Sequence, residues 1–514
     1  MIINHKQENT MSIISSKGTD LLQFNPGNFA LEALNLKQNA YRCRLPKSAI
    51  GLKRYQSQTI SAGDMLAGIV NSCLLGNNFS QACASIAASI LPARKSAMYN
   101  FMSDPKADWN KLTMLTAWEA YRELEMLTST KEHCLIIDDS VLEHSGAKRM
   151  ELVTRTFNHN SGTVVKGYTC LQMAWTDGRS CFPLLSKLVA SDESKSKRKA
   201  CTNPKEKDFD RRRHGAFIRQ EACKSKPELV QGMIKAALRQ GFDCSYVLMD
   251  SWFNYEPLLK WITSLDLDVI GMLKLDHRSY HRLDRKERSV TYKPLKQLWL
   301  SFKHKRSKGN NSIAGWEIVK ACTADEAFED GIKLKIVYLH SYSDPDKILV
   351  LASTDLSLSP ERIVQLYARR WMVETGFFNQ KEFLGLGSET RSVDFDNQNA
   401  FMCLAAIRAT IFEFHRRIHK DIRTMGEIAR YCEETMRIIP IAEAVKELLI
   451  RLEEFPEKLY KAGVIVNGKL KSAKRMLHML LNSWFRDMVD YVKDIFDCSP
   501  KNRKLRSRTS KTHT

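Results

Sequence analysis

From His133 onward the sequence changes period in a way that leaves few folds open. Three runs rich in β-branched residues, HCLIIDD, ELVTRTFN and TVVKGYTCLQMAW, are separated by turn residues such as Asn160-Ser161-Gly162 and closed by Asp177-Gly178. This pattern predicts a three-stranded meander. A helical segment from Pro227 to Arg239, a strand SYVLMD ending at Asp250, a helix from Pro257 to Ser264 and a strand LDVIGMLKL come next. Strands alternating with helices imply parallel pairing. At 514 residues the chain is too long for one core, so further domains must flank this α/β unit.

Charge narrows the partners. Lys and Arg number 79 against 58 Asp and Glu, a formal net charge of +21, which suits a polyanion such as DNA; a basic enzyme with no nucleic-acid partner has the same balance. Thirteen cysteines are scattered singly, with no C-x-x-C pair and no His at finger spacing, and read as small buried hydrophobes rather than zinc ligands. No apolar run is long enough for a membrane helix. The opening MIINHKQENTMSII lacks the apolar core of a secretory signal, so a cytoplasmic location and no membrane partner are expected.

Three antiparallel strands followed by helix, strand, helix, strand is the order of a ribonuclease H-like domain. The expected fold class is therefore α/β, a ribonuclease H-like catalytic domain with a β-rich insertion and helical N-terminal and C-terminal regions. Residues 1–130 read as a helical DNA-binding domain, where Asn77–Cys83 and Ser96–Phe101 have the lengths of a helix-turn-helix pair, although a plain bundle reads the same. Residues 131–275 are the first part of the core. A polar stretch within it carries Lys195, Lys197, Arg198, Lys199, Arg211, Arg212 and Arg213 and fits either a solvated or a phosphate-contacting loop. Residues 276–345 interrupt the alternation and read as the insertion, and 346–400 as the second part of the core, with a long helix from Pro360. Residues 401–500 form the helical C-terminal region. Residues 501–514 carry six Lys or Arg and no acid, and read as a basic disordered tail.

Three acids stand at informative places. Asp139 ends the first strand, Asp250 ends the fourth, and Glu374 lies inside the long helix. Adjacent parallel strands bring aspartates together at their carboxyl ends, where α/β active sites form. Oxygen ligands suit Mg²⁺, and two such ions about 4 Å apart serve both sides of a phosphodiester. Taken singly, each aspartate is equally a turn residue or helix cap. Around Glu374, at about 100° per residue, Tyr367, Arg370, Glu374 and Lys381 fall within an arc of roughly 60° and form one polar stripe. Leu366, Val373 and Phe377 flank the stripe on one side, Trp371 and Phe378 on the other, so it is expected to face the interior or a cleft. A structural salt-bridge ladder would use the same stripe.

The spacing Y-x2-R-x3-E-x6-K, written by Tyr367, Arg370, Glu374 and Lys381, resembles the signature of the cut-and-paste bacterial transposases of insertion-sequence family four. Ser353-Thr354-Asp355-Leu356 before the helix, Arg370-Trp371 within it and Leu384-Gly385-Leu386 after it agree. Upstream, Ile137-Asp138-Asp139-Ser140, Lys166-Gly167-Tyr168 and Met249-Asp250-Ser251-Trp252-Phe253 are similar to the segments around that family's two catalytic aspartates. The resemblance covers roughly residues 130 to 390, and Ser140 stands where many relatives have Thr.

The resemblance implies a DDE-type DNA transposase, which cleaves at the ends of a mobile element and joins them to target DNA by metal-dependent hydrolysis and transesterification through a hairpin. Asp139, Asp250 and Glu374 would bind two Mg²⁺ ions, with Mn²⁺ able to substitute. Asp138 rivals Asp139, since neighbours on a strand face opposite ways and only one can point at the site; Asp139 is preferred because it directly precedes the hydroxyl residue of the motif. Tyr367, Arg370 and Lys381 would hold a phosphate of the non-transferred strand. Trp299 and Trp316 are candidates for receiving a flipped base, and each equally suits a core position. The implied partners are double-stranded DNA, as terminal inverted repeats and target, and a second copy of the chain in a homodimer on paired ends. Two other readings are a catalytically inactive DNA-binding relative, against which the intact triad speaks, and a stand-alone nuclease of the same fold, which has less use for the stripe.

Overall fold

The computed structural model describes residues 24–53, 56–84, 91–125, 132–158, 161–190, 212–275, 279–282, 292–300, 312–313, 316–326, 331–341, 343, 347–480 and 483. The chain divides into two compact units, residues 1–436 and 437–514. In the first, the N-terminal region supplies α1 (Pro26–Ala33), α2 (Leu36–Arg42), a hairpin of β1 (Ser48–Lys53) with β2 (Gln56–Ser61), then α3 (Ala62–Val70), α4 (Phe79–Ala84), α5 (Lys95–Met102) and α6 (Trp109–Glu125). The hairpin departs from the expected all-helical region. Its sequences SAIGLK and QSQTIS hold no long apolar run, and pairing sets Ile50 opposite Thr59. Between the helix-turn-helix candidates, now α4 and α5, residues 85–90 lie outside the described residues.

The central sheet begins with β3 (Cys134–Glu143), β4 (Thr154–Asn158), β5 (Thr163–Thr176) and β6 (Cys181–Val189). These are not the expected simple meander. The turn near Ser161 folds β4 onto the first half of β5, leaving the second half to pair with β3 on one side and β6 on the other. Strand β6 lies in sequence that reads as the start of a polar loop; its Pro183 is accommodated at a register shift between Met173 and Ala174. Lys195, Lys197, Arg198, Lys199 and Arg211 lie outside the described residues, while Arg212 and Arg213 lead into α7 (His214–Ala222).

Helix α8 (Lys226–Gln240) starts on a reciprocal capping box between Ser225 and Glu228 and stops at Gly241, whose φ of 102° suits glycine. It is followed by β7 (Tyr246–Met249), α9 (Glu256–Thr263) and β8 (Asp268–Met272). Strand β7 runs parallel to both β3 and β8 and is buried throughout, which explains its unbroken apolar sequence.

The segment read as an insertion holds β9 (Ser279–Arg282), β10 (Tyr292–Pro294), α10 (Leu295–Leu300), β11 (Ser312–Ile313), β12 (Trp316–Glu326) and β13 (Lys333–Ser341). Strand β13 pairs with β14 (Ile348–Ser353), and β14 with β8, so these strands lengthen the central sheet. Among the described residues the order is β10-β9-β12-β13-β14-β8-β7-β3-β5-β4, with β6 also on β5 and β11 on β12. The fold is thus mixed α/β around a mixed sheet.

Helices α11 (Pro360–Ala368) and α12 (Trp371–Glu382) occupy the place of the expected single long helix. Arg369 and Arg370 separate them, bonded one residue short of the α pattern, Arg370 N–H to the Tyr367 carbonyl and Met372 N–H to that of Arg369. Helix α13 (Phe395–Ile418) is buried from Phe395 to His415 and packs on α6 and β6. Helix α14 (Met425–Lys461) runs on into the second unit, which also holds an Asn467–Lys469 turn and a Glu457–Lys474 ion pair. The basic tail 501–514 lies outside the described residues. No helix among them is long and apolar enough to cross a membrane.

Candidate active site

Register decides which acids meet. In the parallel pair of β3 and β7, Ile137 lies opposite Met249, so the next residues along the two strands are Asp138 and Asp250. Residues in register share a face of the sheet, and Asp139 turns to the other. The side-chain contacts agree. Asp138 accepts a hydrogen bond from the Arg370 guanidinium at 3.0 Å, and the same guanidinium donates to Glu374. Asp139 instead meets Lys226 of α8, with Oδ2 2.5 Å from Nζ.

Asp250 is held at the carboxyl end of β7 by its own turn, its Oδ1 accepting the Trp252 N–H at 2.9 Å and the Phe253 N–H at 3.3 Å. Burial pushes the Asp138 carboxyl up to about 7 against the pull of Arg370, and the negative charges of Asp250 and Asp139 add to the rise. Burial works against the charged form of Arg370 as well, but Tyr367, Asp138 and Glu374 together outweigh it and hold its pKa above the ordinary value. Tyr367 lies beneath that guanidinium, 5.5 Å from ring centre to carbon, and burial pushes its phenol up to about 12. One nitrogen of the cluster, Arg370 Nε, is buried and has no hydrogen-bond partner among the described residues.

Lys381, about two turns beyond Glu374, donates to Ser140 Oγ at 2.7 Å and to the Val141 carbonyl at 2.9 Å. Burial lowers its pKa. Ser140 is on the Asp138 face, two residues along β3, so Tyr367, Arg370, Glu374 and Lys381 gather over one face of that strand. The close seating of β3 on β5 explains the glycine of Lys166-Gly167-Tyr168: a Cβ at Gly167 would fall 2.0 Å from the Leu142 carbonyl oxygen.

The flanks of the stripe differ from expectation. Leu366, Val373 and Phe377 are buried, whereas Trp371 and Phe378 are 65% and 59% exposed. The two lie along a cavity of about 630 Å³ shared with Phe383, Arg416 and Arg430. Trp316, the first residue of β12, is half-buried against the core, and the side chain of Trp299 lies outside the described residues.

Among the described residues no three His, Cys, Asp or Glu side chains converge as one ion's ligands; Arg370 bridges Asp138 and Glu374 instead. The donor chemistry nevertheless fits a hard divalent cation, since Asp138 is a half-buried carboxylate pressed by a like charge on Asp250. Sequence reasoning missed Lys226 altogether and left the choice between Asp138 and Asp139 to motif position. The signal that separates the aspartates is parity: Asp138 and Ser140 face α12 together.

Residues 74–309 match a family model described as DDE superfamily endonuclease, and residues 226–411 match one described as Transposase DDE domain. No curated protein matches the chain. Asp138 and Asp250 fall in the first match, Asp250 and Glu374 in the second, and together the two matches support a DDE transposase or endonuclease.

Proposed function

We propose that the chain is a cut-and-paste DNA transposase of insertion-sequence family four, acting as a homodimer on the paired ends of a mobile element. The observation that carries the reading is the meeting of β3, β7 and α12, where Asp138 lies beside Asp250 and is tied through Arg370 to Glu374. The strand order β6-β5-β3-β7-β8 supports a ribonuclease H-like core.

Asp138, Asp250 and Glu374 would hold Mg²⁺, two ions in the working complex, with Asp138 replacing Asp139 in the set first expected. Bound there, divalent cations supply positive charge to the attacking and leaving oxygens of a phosphodiester. Water adds to phosphorus, the bridging 3′ oxygen leaves as a hydroxyl, and that hydroxyl attacks the opposite strand to close a hairpin with loss of a second bridging oxygen. Arg370 presents a planar fork to phosphate oxygens, and Lys381 a point charge. Tyr367 carries the guanidinium from below, so the three would position the non-transferred strand once DNA displaces the intramolecular bonds.

The test uses DNA bordering the coding region as an end substrate, with Mg²⁺, resolved on a denaturing gel. Loss of residues that merely orient metal ligands costs about 10- to 100-fold, so Asp250→Asn or Glu374→Gln is expected to lose at least that much cleavage while still shifting the DNA on a native gel. Full cleavage by either variant would remove the assignment.

A further inference from the structure

The face of the sheet that carries the acidic cluster continues past it along β5. Asp138 lies opposite Gln172, and residues in register share a face, so Tyr168, Lys166 and Val164 follow on that face at alternate positions. Before Gly167 neither β3 nor β6 pairs with β5, and residues 163–166 pair only with residues 155–158 of β4. The sheet therefore ends in a two-stranded ribbon. Its register sets Arg155 opposite Lys166 and Phe157 opposite Val164, so two cations and two apolar side chains share the Asp138 face. Arg155 is exposed, Lys166 half-buried, and Phe157 and Val164 are 40% and 56% exposed. Lys148 and Arg149 add two exposed cations in the loop whose His144 N–H donates to the Lys166 carbonyl. Among the described residues none of these four cations has an ion-pair partner. Glu143, the acid nearest in register, lies on the other face.

Like charges directly opposite one another weaken a strand pair, and an apolar pair left in water gains nothing from burial. A ligand with anionic edges and apolar groups between them would reverse both costs. Duplex DNA is such a ligand, because its major groove admits a two-stranded ribbon, lies between phosphate backbones and presents thymine methyl groups. Spacing agrees. Lys166 is six residues along β5 from Gln172, about 20 Å at the rise of a strand, and a duplex covers that distance in about six base pairs. We propose that the β4–β5 ribbon enters the major groove of the duplex being cut, about six base pairs from the cleaved phosphodiester. Arg155 and Lys166 hold phosphates at the edges of the groove, and Phe157 and Val164 meet the base edges within it. This rests on the reading of the chain as a DNA-cleaving enzyme, and it extends the grip on DNA well beyond the acidic cluster and the polar stripe.

The test measures affinity of the full chain, without divalent metal, for two fluorescent DNAs by anisotropy. One is a duplex of about thirty base pairs from the DNA bordering the coding region, several times the spacing above; the other is one of its strands alone, which has no major groove. Each phosphate held on a duplex adds about 0.9 to the slope of log affinity against log salt, so Arg155→Met with Lys166→Met is expected to flatten the duplex slope by about 1.8. Phe157→Ser with Val164→Ser is expected to weaken duplex binding by about tenfold, less than full burial of two such side chains gives. That second pair should leave the salt slope and the single-strand affinity unchanged. Hydroxyl-radical footprints locate the contact: the protection lost in Arg155→Met with Lys166→Met should form one patch about six base pairs from the position that the wild type cuts once Mg²⁺ is added. An unchanged duplex slope, equal loss on both DNAs from the Phe157 and Val164 changes, or a patch at the cut itself overturns the proposal while leaving the nuclease reading intact. A wild type that does not cut the duplex overturns both.

Discussion

Two arginines in this molecule each tie acidic or polar groups from distant segments, and they differ in how completely they are satisfied. Arg408, on the buried helix α13, has no exposed surface. Its Nε donates to the Val70 carbonyl at 2.8 Å, its Nη1 to the Leu384 carbonyl and Glu389, and its Nη2 to Glu389, the Ile69 carbonyl and Ser72. Arg370 bonds Asp138 and Glu374, has no partner for Nε among the described residues, and shares its surroundings with an acid whose pKa is raised to about 7. A saturated ion is a structural joint, here between the N-terminal helices and the segment after α12. An unsaturated one has capacity left for a ligand, and removing it should cost the fold less.

The largest expected effect breaks the saturated joint. Arg408→Met leaves Glu389 buried and unpaired, which costs about 3–5 kcal/mol when a buried pair loses one partner, a large part of the 5–15 kcal/mol that holds a domain together. Arg370→Met should cost about 1 kcal/mol or less, the range of a partly exposed pair, because Asp138 can take up a proton and Glu374 reaches water. Urea unfolding of the two variants checks the difference. Comparable losses would mean that Arg370 is a structural joint as well, and the comparison would fail.

The next effect concerns activity and divides two neighbours. Asp138→Asn is expected to lower cleavage of end DNA by at least about a hundredfold, as loss of a carboxylate proposed to hold metal. Asp139→Asn should lower it by less, because Asp139 pairs with Lys226 rather than joining the acidic cluster. Rates of the two purified variants at one Mg²⁺ concentration check the order. A reversed order would return Asp139 to the first position.

Much of this arrangement was legible in the chain, and the parts that were not depend on contacts between distant segments. The runs around Cys134–Glu143, Tyr246–Met249 and Asp268–Met272 form strands where β-branched and apolar residues cluster. The spacing of Tyr367, Arg370, Glu374 and Lys381 gathers them over one strand although the helix breaks between Ala368 and Trp371, because a short tightened turn rotates the chain only slightly off the α path. Strand β6 was hidden by Pro183 and a polar sequel, and β12 and β13 could not be assigned to the central sheet because sheet membership is settled by partners far along the chain. Choosing between Asp138 and Asp139 needed the register of β3 on β7, which a one-residue slip would invert. Local sequence carries no such information.

The smallest effect sharpens the contrast through pH. Asp138 has a folded pKa of about 7, above the roughly 3.9 of an aspartate in an unfolded chain. Between these values the folded state holds more protons than the unfolded one, so stability falls as pH rises through this window. Below it both states are protonated and above it both are ionised, and Asp138 adds no slope in either range. The contribution is therefore fully present at low pH and lost by about pH 8, a unit past the folded value. Asparagine does not titrate, so the melting temperature of Asp138→Asn relative to wild type should climb by a few degrees between pH 5 and pH 8 and then level. Arg370 pulls the Asp138 pKa down, and Arg370→Met should move the window to higher pH. Melting curves at half-unit pH steps on the three proteins measure this. A difference between Asp138→Asn and wild type that stays flat from pH 5 to pH 8 would mean that Asp138 is already ionised at the lower end, fully neutralised by Arg370, and that the two arginine clusters are electrostatically alike after all.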